Sequence, residues 1–352
     1  MLPRAAQNPA IMRRLQTVQR LSGAASATPS LSRRALLALG LLAHPMLALG
    51  QSEPFEDESW RDAARTREIP VRLRWPPDAL PLPTGGHPVL LFSHGLGGSR
   101  AGGEVWGEAW ARAGFVVIHL QHPGSDLEAV RQAGGFGEPA RLRSAASGRE
   151  LMQRLRDVVF ALDEIGRRHA RAQGRWSSVR PQALGLAGHS FGAHTTLGMA
   201  GQSYPGFADI DEPRLSAFMA FSPTLPPLNP TQALSRLTRP MLCLTGTRDG
   251  DVLGTGATPE QRHKVFDALP PGHKAQLVLQ GADHMSFAGQ SGRALEVLAR
   301  LDVTKQLQAQ HHSLIARLSS DWWRATLMDD AKAAARLASP AGLSPGDEWR
   351  RG

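Results

Sequence analysis

Gly188-His189-Ser190-Phe191-Gly192 lies between Ala183-Leu184-Gly185-Leu186-Ala187, an apolar run of strand length, and a small-residue run from Ala193 to Ala200 that reads as a helix. The spacing predicts a strand, a sharp turn and a helix, the layout of a nucleophile elbow. A serine hydroxyl is a weak nucleophile, so acyl chemistry needs it pushed out of a tight turn toward a base. The turn in its place needs glycines where side chains would collide with the strand or helix. Ser190 is the candidate nucleophile. In a chain with 36 glycines a bare Gly-x-Ser-x-Gly carries little weight alone, so its surroundings have to supply the rest.

Upstream, Pro88-Val89-Leu90-Leu91-Phe92 reads as a buried strand running into the glycine-rich loop Ser93-His94-Gly95-Leu96-Gly97-Gly98. Such a loop aims backbone N–H groups at a developing oxyanion. In elbow hydrolases one donor is the amide after the serine, here Phe191, and the other comes from this loop, here Leu96. A dinucleotide cradle is the competing reading, but Arg100 stands where the third glycine of G-x-G-x-x-G would fall.

Downstream, Met241-Leu242-Cys243-Leu244-Thr245 opens into Gly246-Thr247-Arg248-Asp249-Gly250-Asp251, and Ala275-Gln276-Leu277-Val278-Leu279 runs into Gly281-Ala282-Asp283-His284. Each run places a complementary group at a strand's C-terminal end. The order Ser190, Asp249, His284 is the serine, acid, histidine order of the α/β-hydrolase fold. Asp251 is the alternative acid, and Asp283 reads as a cap for the turn that follows it. His94 and His122 also end strand-like runs. His94 is expected to brace the loop, and both are candidates for lining the pocket, whose walls are expected from the segments 121–126, 222–230 and 250–258.

Strand-like runs at 71–73, 89–92, 115–120, 184–187, 217–221, 241–244 and 277–279 alternate with helical patterns, which predicts a mostly parallel sheet covered on both faces. Leu151, Leu155, Val158, Val159, Leu162 and Ile165 keep helical spacing and predict one long core helix, preceded by a glycine-rich rim at Gly134-Gly135-Phe136-Gly137. A later helical stretch carries Leu314, Leu318, Trp322, Trp323 and Leu327. Asp321, Asp329 and Asp330 interrupt any lipid-facing surface there, so the tryptophans are expected in the core. The tail, residues 341–352, is expected to pack loosely.

Ser32-Arg33-Arg34-Ala35-Leu36-Leu37 and the apolar run through Leu47 form a twin-arginine pattern with a small-residue exit at Ala48-Leu49-Gly50. The run is too short to span a bilayer. Residues 1–50 are therefore expected to be a removable signal read by the twin-arginine export machinery, with Met12 an alternative start and residues 51–340 the catalytic domain. Export makes the mature chain periplasmic or secreted, without a stable membrane anchor. Residues 1–50 carry six arginines and no acid, so the formal charge of +9 falls to +3 without them. Only four of the 40 basic residues are lysines, and no basic stripe interleaves with aromatics, so nucleic acid is not an expected partner. Cys243, the single cysteine, makes no internal disulfide and reads as a small buried hydrophobe. No Cys/His spacing suits zinc, and neither a metal nor a cofactor is expected.

The segments Phe92–Gly97, Gly188–Ala193 and Gly281–His284 together resemble the bacterial platelet-activating-factor acetylhydrolase-like α/β-hydrolases, often called predicted dienelactone hydrolases. Asp62–Val71 is similar to that family's first strand region and Gly346-Asp347-Glu348-Trp349 to its C-terminus. The resemblance covers most of the chain after residue 55. It implies a triad of Ser190, Asp249 and His284 with the Leu96 and Phe191 amides as oxyanion hole. True dienelactone hydrolases use a cysteine nucleophile, so Ser190 speaks against that literal activity. The expectation is a serine esterase for short-chain acyl esters. A polyester or amide hydrolase would keep the same residues, and the contrasting class is a non-catalytic acyl-binding protein on the same scaffold.

Overall fold

The computed structural model describes residues 54–132, 134–135, 144–208, 210–251, 257–290 and 301–352. The expected signal segment and the Met12 start lie outside these residues, as do Phe136 and Gly137 of the expected rim. The unit Ser52–Gly352 is built on one nine-stranded sheet.

Its strands are β1 (Phe55–Asp62), β2 (Arg67–Arg74), β3 (His87–Ser93), β4 (Val116–Leu120), β5 (Val179–His189), β6 (Leu215–Phe221), β7 (Met241–Arg248), β8 (Lys274–Asp283) and β9 (Glu348–Arg351). They lie side by side in the order β1-β2-β4-β3-β5-β6-β7-β8-β9. From β4 to β8 every neighbour is parallel, while β1, β2 and β9 join antiparallel at the two edges. The seven strand-like runs fall within β2 to β8, except that β4 begins at Val116 and leaves Phe115 just outside it. The chain is a mixed α/β protein with a mostly parallel sheet.

The helices are α1 (Glu104–Arg112), α2 (Leu127–Gln132), α3 (Gly148–Ala170), α4 (Phe191–Met199), α5 (Pro230–Ala233), α6 (Pro259–Ala268), α7 (Asp302–Leu327) and α8 (Ala331–Ala338). Side chains alternate across a strand, so Val89 and Leu91 of β3 join one apolar layer and Leu90 and Phe92 the other. The first layer takes its cover from α3, α4 and α6 through Leu155, Leu197 and Val265; the second from α1, α7 and α8 through Trp110, Trp323 and Leu337. Each such side chain contributes about 1.5–3 kcal/mol by leaving water. Trp322 and Trp323 are both buried, the core role expected of them. Helix α3 starts at Ser147, whose hydroxyl accepts from the Glu150 N–H at 3.3 Å. Among the described residues no helix is long and apolar enough to cross a membrane.

The tail differs from expectation. Instead of a loose extension, β9 extends the sheet along β8, Trp349 donates its indole N–H to the Leu337 carbonyl at 2.9 Å, and the Asp347 carboxylate accepts from the backbone N–H groups of Gln280 and Ser344. The strand supplies the edge of β8 with backbone partners, which its own charged sequence Glu-Trp-Arg-Arg gave no hint of.

Chain direction explains where a site can form. After β3 the chain crosses through α1 to β4 on one side, whereas after β5 it crosses through α4 to β6 on the other. β3 and β5 are neighbours, so the loops at their C-terminal ends diverge and leave a crevice between them. Those loops are the glycine-rich segment after Ser93 and the turn at Ser190.

Candidate active site

Ser190 is the residue between β5 and α4, with φ 57° and ψ −113°. This left-handed region costs a non-glycine residue about 1–3 kcal/mol and survives only when neighbours fix it. The Ser190 N–H donates to the Phe221 carbonyl of β6 at 3.0 Å, and its carbonyl accepts from Ala193 at 2.8 Å. Two glycines make room. A Cβ on Gly188 would stand 2.1 Å from the Gly192 carbonyl oxygen, and one on Gly192 would stand 1.9 Å from the Ser93 carbonyl oxygen. The Phe191 N–H is the first of α4, and such first-turn donors have no partner within their own helix.

The residues expected as acid and base meet at the ends of β7 and β8. His284, 4 % exposed, donates Nδ1–H to Asp249 Oδ1 at 2.8 Å, and Asp249 Oδ2 accepts from Thr245 at 2.8 Å. Arg262 Nε lies 3.2 Å from Asp249 Oδ1 and donates to the Asp249 carbonyl at 2.9 Å. Burial alone would push the Asp249 carboxyl up, but the His284 hydrogen bond and charge and the Arg262 guanidinium outweigh it and hold the group below 3.8. Of the two candidate acids, Asp249 therefore holds the imidazole, while Asp251 stands in the cavity wall. Asp283 caps the turn that follows, accepting from the Ser286 N–H and hydroxyl, both at 2.9 Å.

Leu96 sits in the loop that abuts the elbow: a Cβ on Gly95 would be 3.4 Å from Ser190 Cβ. The loop is fastened at its far end, where Gly97 donates to the Ser125 carbonyl at 2.9 Å. His94 braces it from below. Its Nε2 accepts from the His122 N–H at 3.0 Å, and its Nδ1 faces the Gly95 carbonyl at 2.6 Å.

His94 and His122 do not line the cavity, contrary to expectation. Both are buried, and strand direction turns them beneath the loop and away from the opening. His122 donates Nδ1–H to Asp157 at 3.0 Å and faces the Ser93 hydroxyl through Nε2 at 2.9 Å. Ser93, His122 and Asp157 thus repeat the chemistry of a catalytic triad in a place no substrate reaches. Burial, against the Asp157 hydrogen bond, depresses His122 to about 4, and so its ring stays neutral.

Ser190, Phe191 and His284 share a cavity of about 550 Å³. Leu151, Leu225 and Pro226 give it an apolar wall, and Arg262, Thr224 and His194 a polar one. The segments 222–230 and 250–258 contribute to the wall as expected. The segment 121–126 does not, and Ala146–Leu151 at the start of α3 takes its place. Among the described residues no three His, Cys, Asp or Glu side chains come together to hold a metal ion. Cys243 is buried in β7, and burial pushes its thiol up to about 12.

Two positioning groups were missed. His189 donates Nε2–H to the His284 carbonyl at 3.0 Å, with ring centroids 4.7 Å apart, so the elbow itself anchors the histidine loop. Burial and the neighbouring His284 hold His189 to about 3, which keeps it a neutral donor. Arg262 fastens α6 to the acid, donating also to the Ser222 carbonyl at 2.6 Å and Thr224 at 2.9 Å. His189 was visible as the variable residue of the elbow motif; Arg262 had no signal in the sequence. No protein-family model matches the chain, and no curated protein matches it.

Proposed function

We propose that the chain is a serine esterase of the α/β-hydrolase fold, acting on short-chain acyl esters through an acyl-enzyme. One observation carries the reading: Ser190, held in a strained elbow, and His284, bonded to Asp249 at 2.8 Å, open on the same cavity. With Nδ1–H committed to Asp249, Nε2 of His284 is the base that takes the serine proton. Ser190 attacks the ester carbonyl, Asp249 stabilises the imidazolium, and the Leu96 and Phe191 amides meet the oxyanion. His284 then protonates the departing alcohol, and water releases the acyl group by the same route.

The cavity of about 550 Å³ is the size of a small-molecule site, and its wall of leucine and proline offers an acyl group apolar surface. The likeness of the motifs to acetylhydrolase-like enzymes points the same way. Export by the twin-arginine route belongs to the proposal too, and rests on Ser32–Leu47 alone.

The test is hydrolysis of p-nitrophenyl esters of increasing acyl length by the protein and by Ser190→Ala, beside labelling with a fluorophosphonate. The expected result is activity on the shortest esters, a loss on the order of 10⁵–10⁶-fold in the variant, and a label on Ser190 alone. Equal activity in pure Ser190→Ala, or a parent that neither turns over nor takes the label, overturns the reading.

A further inference from the structure

Arg154 lies in the apolar stripe of α3 and is 0 % exposed. A fully buried guanidinium is costly unless each donor finds an acceptor. Its acceptors lie on two loops, the glycine-rich one beside Ser190 and the one after β4 to which that loop is fastened. Nη1 donates to the His94 carbonyl at 2.6 Å, Nε donates to Ser125 Oγ at 2.8 Å, and Nη2 stands 3.5 Å from the carbonyls of Gly95 and Ser125. The guanidinium carbon also sits 4.3 Å from the centre of the Phe191 ring, a cation–π contact. One side chain thus touches the elements that carry both expected oxyanion donors.

Peptide geometry gives this contact a direction. The Gly95 carbonyl and the Leu96 N–H belong to one planar trans peptide and point opposite ways. His94 Nδ1 and Arg154 draw that carbonyl downward, so the Leu96 N–H is turned away from the guanidinium. Below, the Ser93 hydroxyl links Arg154 Nη1, at 3.4 Å, to the His122–Asp157 pair. Asp157 is in turn held by Arg65 Nη1 at 2.8 Å and Arg67 Nε at 2.8 Å. The triad-like Ser93-His122-Asp157 chain is therefore the footing of the loop.

We propose that Arg154 is the positioning residue of the oxyanion hole, fixing the Leu96 peptide through the carbonyls of His94 and Gly95 and bracing Phe191 through its ring. The inference rests on the esterase reading. It assigns to a residue outside the cavity the alignment of donors on which the transition state depends, so its loss is felt in kcat and not in ground-state binding.

The experiment compares the parent with Arg154→Lys, which keeps the charge and loses the planar fork, and with Ser125→Ala, which removes one acceptor of that fork. Three quantities are read for each: kcat and KM on p-nitrophenyl butyrate, and the affinity of a short-chain trifluoromethyl ketone. The Ser190 Oγ adds to the carbonyl of that ketone as its proton passes to His284, and the hemiketal oxyanion lies in the hole. Arg154→Lys is expected to lose roughly 30-fold in kcat with KM within about threefold, and the ketone to weaken in parallel with kcat/KM. A folded Arg154→Lys with parental kcat, or a lowered kcat with unchanged ketone affinity, overturns the proposal. If Arg154→Lys does not fold, Ser125→Ala decides: a loss of roughly threefold to tenfold in kcat that the ketone matches supports it, and parental values in both overturn it. A parent that turns over no ester and takes no fluorophosphonate removes the esterase reading, and this inference with it.

Discussion

At the scale of the residue, the site is defined by what cannot be changed. Gly192 has no room for a methyl group 1.9 Å from the Ser93 carbonyl oxygen, and the obstacle is backbone. Gly192→Ala is expected to cost about 1–3 kcal/mol of stability through overpacking and to abolish fluorophosphonate labelling by displacing Ser190. A urea midpoint and a labelling gel check both, and an active, unshifted variant contradicts the elbow geometry. The two aspartates separate in the same way. Asp249→Asn removes the group that fixes the His284 tautomer and is expected to lose on the order of 10⁴-fold in kcat. Asp251→Asn, a change in the cavity wall, is expected to act mainly on KM. The reverse pattern would move the acid to Asp251. Ser190, Asp249 and His284 were legible because each follows an apolar strand run, and a strand's C-terminal end is a position that sequence displays. The bracing role of His94 was legible too, but not that His94 and His122 both stay out of the cavity wall, because that depends on which side of the sheet the loop after each strand turns to. Arg154 and Asp157 left a signal that went unread: a cation and a carboxylate in phase with Leu151, Val158 and Leu162 on an otherwise apolar helical stripe.

At the scale of the element, the strands found from sequence are those buried on both faces, where a continuous apolar run is the signature. β1 was missed because Phe55-Glu-Asp-Glu-Ser-Trp-Arg-Asp is mostly charged and is an edge strand. What holds it is pairing that only the partner reveals. Asp57 stands opposite Arg72 and is bonded to it at 2.8 and 2.9 Å, and Ser59 donates to Glu68 at 2.8 Å. β9 hides for the same reason at the other edge. Removing residues 344–352 would uncover the backbone of β8, the strand whose end carries His284. That truncation is expected to lower the melting temperature and promote self-association through the bared edge, read by calorimetry and light scattering; a monomer with the parental melting temperature would contradict it. Helix α3 offers the opposite case. Gly166 lies in its interior with nothing within 4 Å of a new Cβ, so Gly166→Ala is expected to stabilise the protein by about 0.5–1 kcal/mol.

At the scale of the whole molecule, the buried histidines make stability depend on pH. His119, His122 and His189 are depressed by burial to about 3, 4 and 3, half-buried His194 in the cavity wall is lowered by desolvation to about 4, and His94 lies well below its ordinary 6.5. Each is neutral in the folded chain and titrates near 6.5 when unfolded. Below 6.5 the unfolded chain therefore binds more protons than the folded one, and unfolding free energy falls as pH falls. Each histidine contributes a slope of up to about 1.4 kcal/mol per pH unit, present below 6.5 and ending only where the folded ring itself protonates, near 3 to 4. The carboxylates act later. Asp157 and Asp249 are both held below 3.8, so their stabilisation is intact above that value and is lost only in stronger acid. The expected result is a urea midpoint steady from pH 8 to 7 that drops steeply between 6.5 and 5, a window in which these carboxylates do not change charge. Because His94 and His122 support the glycine-rich loop and His189 holds the loop of His284, the site is lost when acid unfolding releases these rings to take up protons. A midpoint that stays flat to pH 5 would mean these rings are charged inside the folded protein, and would contradict the neutral network on which the site stands.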